Sequence, residues 1–148
     1  MSGRGVPPSG RLTPVAHAAC YVTLRIWKSG TTSSEVTERL RITPTFSHEA
    51  GDIGRSGHVR KGAMWGLSTE HLGRGPLAEH LSALLDQVED RRQVLEELSG
   101  DGFAMDWFCF VDVDGLGGVE LDASLLARLG SFPLDLDLDI YGMEHDQD

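Results

Sequence analysis

Three aspartates at alternate positions, Asp135, Asp137 and Asp139, form the most specific chemical pattern in the chain. In an extended strand, alternate residues lie about 6.6–7 Å apart on one face. Three carboxylates in such a column repel one another, so a cation, solvent or a basic partner must compensate them. Arg25, in another strand-like segment, is the candidate cross-strand cation, and Trp27 shares its more polar face. Asp135, Asp137, Asp139 and Trp27 therefore make a candidate partner-binding surface. The second pattern runs from Ser47 to Trp65. There Ser47, His48 and Asp52 sit among Gly51, Gly54, Gly57 and Gly62, with Arg55, Arg60 and Lys61 close by. Backbone N–H groups of a Gly-rich loop can form a nest for an anion, and the three cations add charge. With Trp65 as a wall, this is the alternative site, one for a small ligand or an anion. The plainer reading is a hairpin in which His48 caps a turn.

Catalytic chemistry finds little support. A Ser-His-Asp relay needs three groups in mutual hydrogen-bond reach. Six histidines make such sets easy to assemble by chance. The chain has no GxSxG elbow, no GxxxxGK[ST] loop and no GxGxxG turn. His48, Asp52, His58, His71 and His80 lack metal-ligand spacing. Asp112-x-Asp114 opens like a calcium loop, but Leu116 and Ala123 stand where oxygen ligands are needed. No catalytic residue, metal or cofactor is expected.

Charge narrows the partners. Lys and Arg number 13 and Asp and Glu 23, a formal net charge of −10. Phosphate neutralisation dominates general nucleic-acid binding, so no nucleic acid is expected. No apolar run is long enough to span a membrane. Residues Met1 to Thr13 are rich in Gly, Pro and Ser and lack the apolar core of a signal peptide, so the expected location is the cytoplasm. Cys20 and Cys109 both lie in apolar, strand-like text and read as buried free thiols. Neighbouring strands would leave a bridge between them open.

The elements that must position these residues follow from periodicity. Tyr21 to Trp27 alternates, with Val22, Leu24 and Ile26 on one face. Ser34 to Arg41 is a short helix with Ser33 or Ser34 as its N-cap. Ile42 to Ser47 is extended, the Gly-rich stretch from His48 to Gly62 is a long loop or open hairpin, and Met64 to Thr69 is a strand. Pro76 to Leu98 carries leucines and Val88 at three- and four-residue steps, with a break possible at Asp90-Arg91-Arg92. His80 on that helix is expected to be partly buried and bonded to backbone or a carboxylate. Phe103 to Val111 is apolar on both faces except Asp106, as in a central strand. A turn at Asp114 to Gly118 and a helix opened by Asp122 or Ser124 come next. Leu134 to Tyr141 is the last strand, with Leu134, Leu136, Leu138 and Ile140 inward. Trp65 and Trp107 are assigned to the core, Trp27 to the surface.

At 148 residues the chain has the length of one domain. A flexible tail is expected at 1–14, a single α+β domain at 15–142 and an acidic tail at 143–148. The fold class is α+β, with a ferredoxin-like β-α-β-β-α-β core, an additional helix and a C-terminal strand. The sheet is expected to be mainly antiparallel, with helices on one face.

The segments Tyr21-Val22-Thr23-Leu24-Arg25-Ile26-Trp27, Pro44-Thr45-Phe46-Ser47-His48, Gly51-Asp52, Trp65-Gly66-Leu67-Ser68, Leu77-x-x-His80-Leu81 and Leu134 to Tyr141 resemble, in this order, the bacterial domain of unknown function 4279 family. The likeness runs from about Cys20 to Tyr141. It implies a small cytoplasmic bacterial protein with no catalytic residues to carry over, and neighbourhood with toxin genes. The leading expectation is a soluble, non-catalytic protein-binding domain. It acts through an acidic surface on a basic, toxin-like partner, with an immunity-type inhibitor as one form. The alternative is a small-ligand or anion-binding sensor or enzyme using the loop at 48–62.

Overall fold

The computed structural model describes residues 19–113 and 117–142. The tails assigned at 1–14 and 143–148, and most of the turn at 114–118, lie outside the described residues.

β1 (Ala19–Lys28) alternates as its sequence requires. Val22, Leu24 and Ile26 point into the core at 1% exposure or less. α1 (Ser33–Leu40) starts one residue earlier than the sequence suggests and is capped differently. Neither Ser33 nor Ser34 caps it. The preceding Thr32 makes no side-chain cap either. Instead the Glu49 carboxylate accepts from the Ser33 backbone N–H at 3.1 Å and from the Ser33 hydroxyl. A carboxylate suits the positive end of the helix dipole, and this one arrives from 16 residues away. The helix ends at Arg41, in the left-handed region at φ 61°.

β2 (Phe46–His48) is shorter than the extended stretch predicted, and β3 (Ala63–Ser68) pairs with it. The Gly-rich segment between them folds back as an open hairpin. Ile53 bridges Val59, and Arg60 donates its backbone N–H to the Asp52 carbonyl at 2.6 Å.

The long helical text divides into α2 (Leu77–Val88), a 3-10 turn (Glu89–Arg91) and α3 (Arg92–Gly100). The break falls where the apolar stripe weakens. There Arg91 Nε donates to the Leu40 carbonyl at 2.7 Å, satisfying the C-terminal end of α1. Leu81, Leu84, Leu85, Val88, Leu95 and Leu98 are fully buried, each contributing roughly 1.5–3 kcal/mol of hydrophobic stabilisation. β4 (Ala104–Val113) follows. Asp122 then caps α4 (Ala123–Gly130) by accepting from Leu125 N–H at 2.8 Å, and β5 (Asp135–Gly142) ends the fold.

The five strands form one mixed sheet in the order β2-β3-β1-β4-β5. Three pairings are antiparallel, and β4–β5 is parallel. A parallel pair needs a crossover, which α4 supplies. Core residues of β1, β3 and β4 face the helices in one cluster. Among the described residues helices cover that face only, as expected, and two finer expectations are corrected. β4 is not buried on both sides: Phe108 and Phe110 are half-buried on the open face. Leu136, Leu138 and Ile140 lie on the helix side but are 40%, 44% and 60% exposed, because β5 is an edge strand beyond the helical cover. Leu134, just before β5, is partly buried against the core.

Other assignments stand. Trp65 and Trp107 are core and Trp27 is half-buried. Cys20 and Cys109 are buried free thiols on adjacent strands. His80 is 2% exposed, but its partner is neither backbone nor carboxylate: its Nδ1 meets the Thr69 hydroxyl at 2.6 Å. Thr69 Oγ1 also accepts from Val22 N–H at 3.0 Å, tying α2 to β1 beyond the end of β3.

Candidate functional site

The helix-free face is a grid, because cross-strand partners project to the same side. One row runs Phe46, Gly66, Arg25, Asp106, Asp135 across all five strands. The next holds Ser68, Thr23, Phe108 and Asp137; beyond it come Tyr21, Phe110 and Asp139. His48 pairs with Met64, which pairs with Trp27, so the acidic column and the start of the Gly-rich segment sit on one continuous surface.

Arg25 occupies the middle. Its Nε donates to Asp106 Oδ1 at 2.9 Å and its Nη2 to Asp106 Oδ2 at 2.6 Å. This bidentate geometry is the strong form of a carboxylate–guanidinium pair. The guanidinium also lies over Phe108, 4.3 Å from the ring centroid, and reaches Trp27 at 5.4 Å. Hydrogen bonding to Asp106 pushes the Arg25 pKa further up. Asp106 itself is only 6% exposed. The expected pairing of Arg25 with the Asp column therefore goes first to a residue that sequence reasoning noted only as an apolar strand's exception. Asp137 receives one longer contact from Arg25, at 3.5 Å.

Among the described residues no other ion pair involves Asp135, Asp137 or Asp139. Asp135 and Asp137 are exposed and Asp139 is half-buried. Hydrogen bonding to Asp139 pushes the Tyr141 pKa up. Tyr21 stacks on Phe110 with centroids 5.0 Å apart, and Tyr141 tilts against Phe110 at 5.2 Å. This aromatic strip was not anticipated. Its signal was the alternation of Tyr21, Phe108, Phe110 and Tyr141 with core residues.

The other end of the face holds a shallow cleft of about 760 Å³ bordered by Tyr21, Arg25, Phe46, His48, Arg60 and His71. The Phe46 ring lies against Gly66: a Cβ there would stand 2.2 Å from it, so a larger residue would have to push the exposed ring aside. Of the residues assigned to a ligand site, His48 and Arg60 border this cleft, and Ser47 touches its rim. Trp65 does not. It faces the helices, fully buried, and donates Nε1–H to Thr37 Oγ1 at 3.0 Å. Asp52 instead organises the hairpin, accepting from the Glu49 backbone N–H at 2.7 Å. Arg55 and Lys61 are exposed on the hairpin and line no part of the cleft. Ser47 and His48 are consecutive strand residues and project to opposite faces. The His48 Nδ1 atom is buried and has no hydrogen-bond partner among the described residues. Ser47, His48 and Asp52 therefore form no relay.

Among the described residues, no group of three or more His, Cys, Asp or Glu side chains could hold a metal ion, and no helix is long and apolar enough to cross a membrane. No curated protein and no solved structure matches the chain. The family model described as "Domain of unknown function (DUF4279)" matches residues 18–143, and the chain belongs to that family.

Proposed function

We propose that this protein is a cytoplasmic, non-catalytic protein-binding domain that receives a basic partner on the acidic end of its helix-free sheet face. An immunity-type inhibitor of a toxin is the specific form we favour. One observation carries the reading. Asp135, Asp137 and Asp139 stand in a column on the helix-free face, and Arg25, which reaches Asp137 at 3.5 Å, is held first by Asp106. The chain's net charge of −10 adds a long-range field of the same sign. The order of the first four strands, with β1 between β3 and β4 and all their pairings antiparallel, supports the ferredoxin-like reading of the core.

The test replaces all three aspartates with asparagine, which keeps shape and hydrogen bonding. Tagged protein and variant are used to capture partners from the native host, and association rates are then measured for the partner obtained. A basic protein retained by the wild type, bound more slowly by a variant of unchanged melting temperature, is the expected result. Association should also slow as salt rises, since exposed charges are screened over about 8 Å at physiological ionic strength. Equal association of wild type and variant across a wide salt range would overturn the reading. It would move the binding function to the cleft beside Phe46, His48 and Arg60, where the partnerless His48 Nδ1 favours a small ligand or anion.

A further inference from the structure

β5 offers three features along one strand. Its backbone pairs with β4 on one edge, and among the described residues nothing pairs with the other. Its helix-side row, Leu136, Leu138 and Ile140, is 40%, 44% and 60% exposed. The β4 residues in register with them, Trp107, Cys109 and Val111, are buried at 1% or less. Its opposite row is the Asp135, Asp137, Asp139 column. Acids on an edge strand ordinarily discourage pairing. Here they are joined to an apolar row that the fold leaves uncovered, and the combination selects one kind of partner.

A second copy of this chain does not fit. Pairing β5 with β5 would set one Asp column beside another, and like charges on neighbouring strands are destabilising. A segment that alternates basic and apolar residues does fit. Its Lys or Arg side chains would face Asp135, Asp137 and Asp139 while its apolar side chains extend the row of Leu136, Leu138 and Ile140. We infer that the free edge of β5 takes up an extended, basic–apolar alternating segment of the partner as an added strand. This rests on the acidic-surface reading and specifies the shape of the partner. Backbone hydrogen bonds supply affinity in such strand addition, and alternate side chains supply specificity. A one-residue slip would put basic side chains on the apolar row and apolar ones on the Asp column, so the register is self-selecting.

The probe is a labelled synthetic peptide of alternating lysine and valine, titrated into the full chain by fluorescence anisotropy. Two further peptides carry backbone N-methyl groups on one or the other set of alternate residues, removing the donors of one edge at a time. A fourth has the same composition with its lysines grouped. The parent peptide should bind, at least about tenfold tighter than the grouped peptide and than one of the N-methylated pair. The triple Asp→Asn variant should bind the parent equally weakly. Equal binding of all four peptides overturns strand addition but leaves the acidic surface standing, because charge alone would explain it. Failure of every peptide to bind, or equal binding by wild type and the Asn variant, overturns both. Concentration-dependent dimerisation through β5, seen by sedimentation and abolished by Leu138→Lys, would also overturn the inference.

Discussion

Arg25 reaches from β1 over two neighbouring strands, to Asp106 on β4 and Asp137 on β5. Its preference has a geometric cause. Adjacent strands lie about 4.8 Å apart, so the β4 carboxylate in its own row is close and β5 is twice as far. Removing Arg25 would leave Asp106 buried and unpaired. We expect Arg25→Met to destabilise the fold by about 2–3 kcal/mol, below the usual range for a buried pair because the arginine side chain is 24% exposed. The double variant Arg25→Met, Asp106→Leu should recover most of that loss. Urea denaturation of both reads the difference, and a single variant as stable as the wild type would contradict it. The cross-strand role of Arg25 was legible in the sequence. Its dominant partner was not, because register decides which of several aspartates lies opposite.

At the scale of elements, α2 behaves as its pattern requires. Leu84 is fully buried in mid-stripe, so Leu84→Ala should cost about 2–5 kcal/mol. Chemical denaturation showing a loss under about 1 kcal/mol would place it outside the core. The break between α2 and α3 was visible as the charged Asp90-Arg91-Arg92. The N-terminal cap of α1 was not legible. Local propensity favours Ser33 or Ser34, yet Glu49 is brought there by the return of β2 and outcompetes both. β5 shows the same limit. Its alternation correctly assigned the two faces, but alternation says which residues share a side and not whether anything covers it.

For the whole molecule, burial of thiols and phenols sets an alkaline limit. Burial first, then Asp106 and Asp137, pushes the Cys109 pKa from 9.0 up to about 12. Burial likewise raises Cys20 and, with Glu70 and Asp139, Tyr21. The unfolded chain releases these protons first. It therefore binds fewer protons than the native state above about pH 9, and stability falls with rising pH until the native groups ionise too. Urea midpoints should be lower at about pH 10.5 than at about pH 8, and Cys109→Ala should flatten the decline. Identical slopes for wild type and variant would remove Cys109 as a cause. The native thiol should also resist alkylation at neutral pH, since the thiolate is the nucleophile.

The α+β class, the strand and helix order, the buried stripe of α2, the two buried cysteines and the facing of each β5 residue were all legible in the sequence. All of these depend on periodicity and composition within a few consecutive residues. The tertiary fold alone settles that Arg25 belongs first to Asp106 and that Leu136, Leu138 and Ile140 stay exposed. Each of those depends on which strand lies beside which, and on where helical cover stops. Such facts join residues far apart in the chain, and no local pattern encodes them.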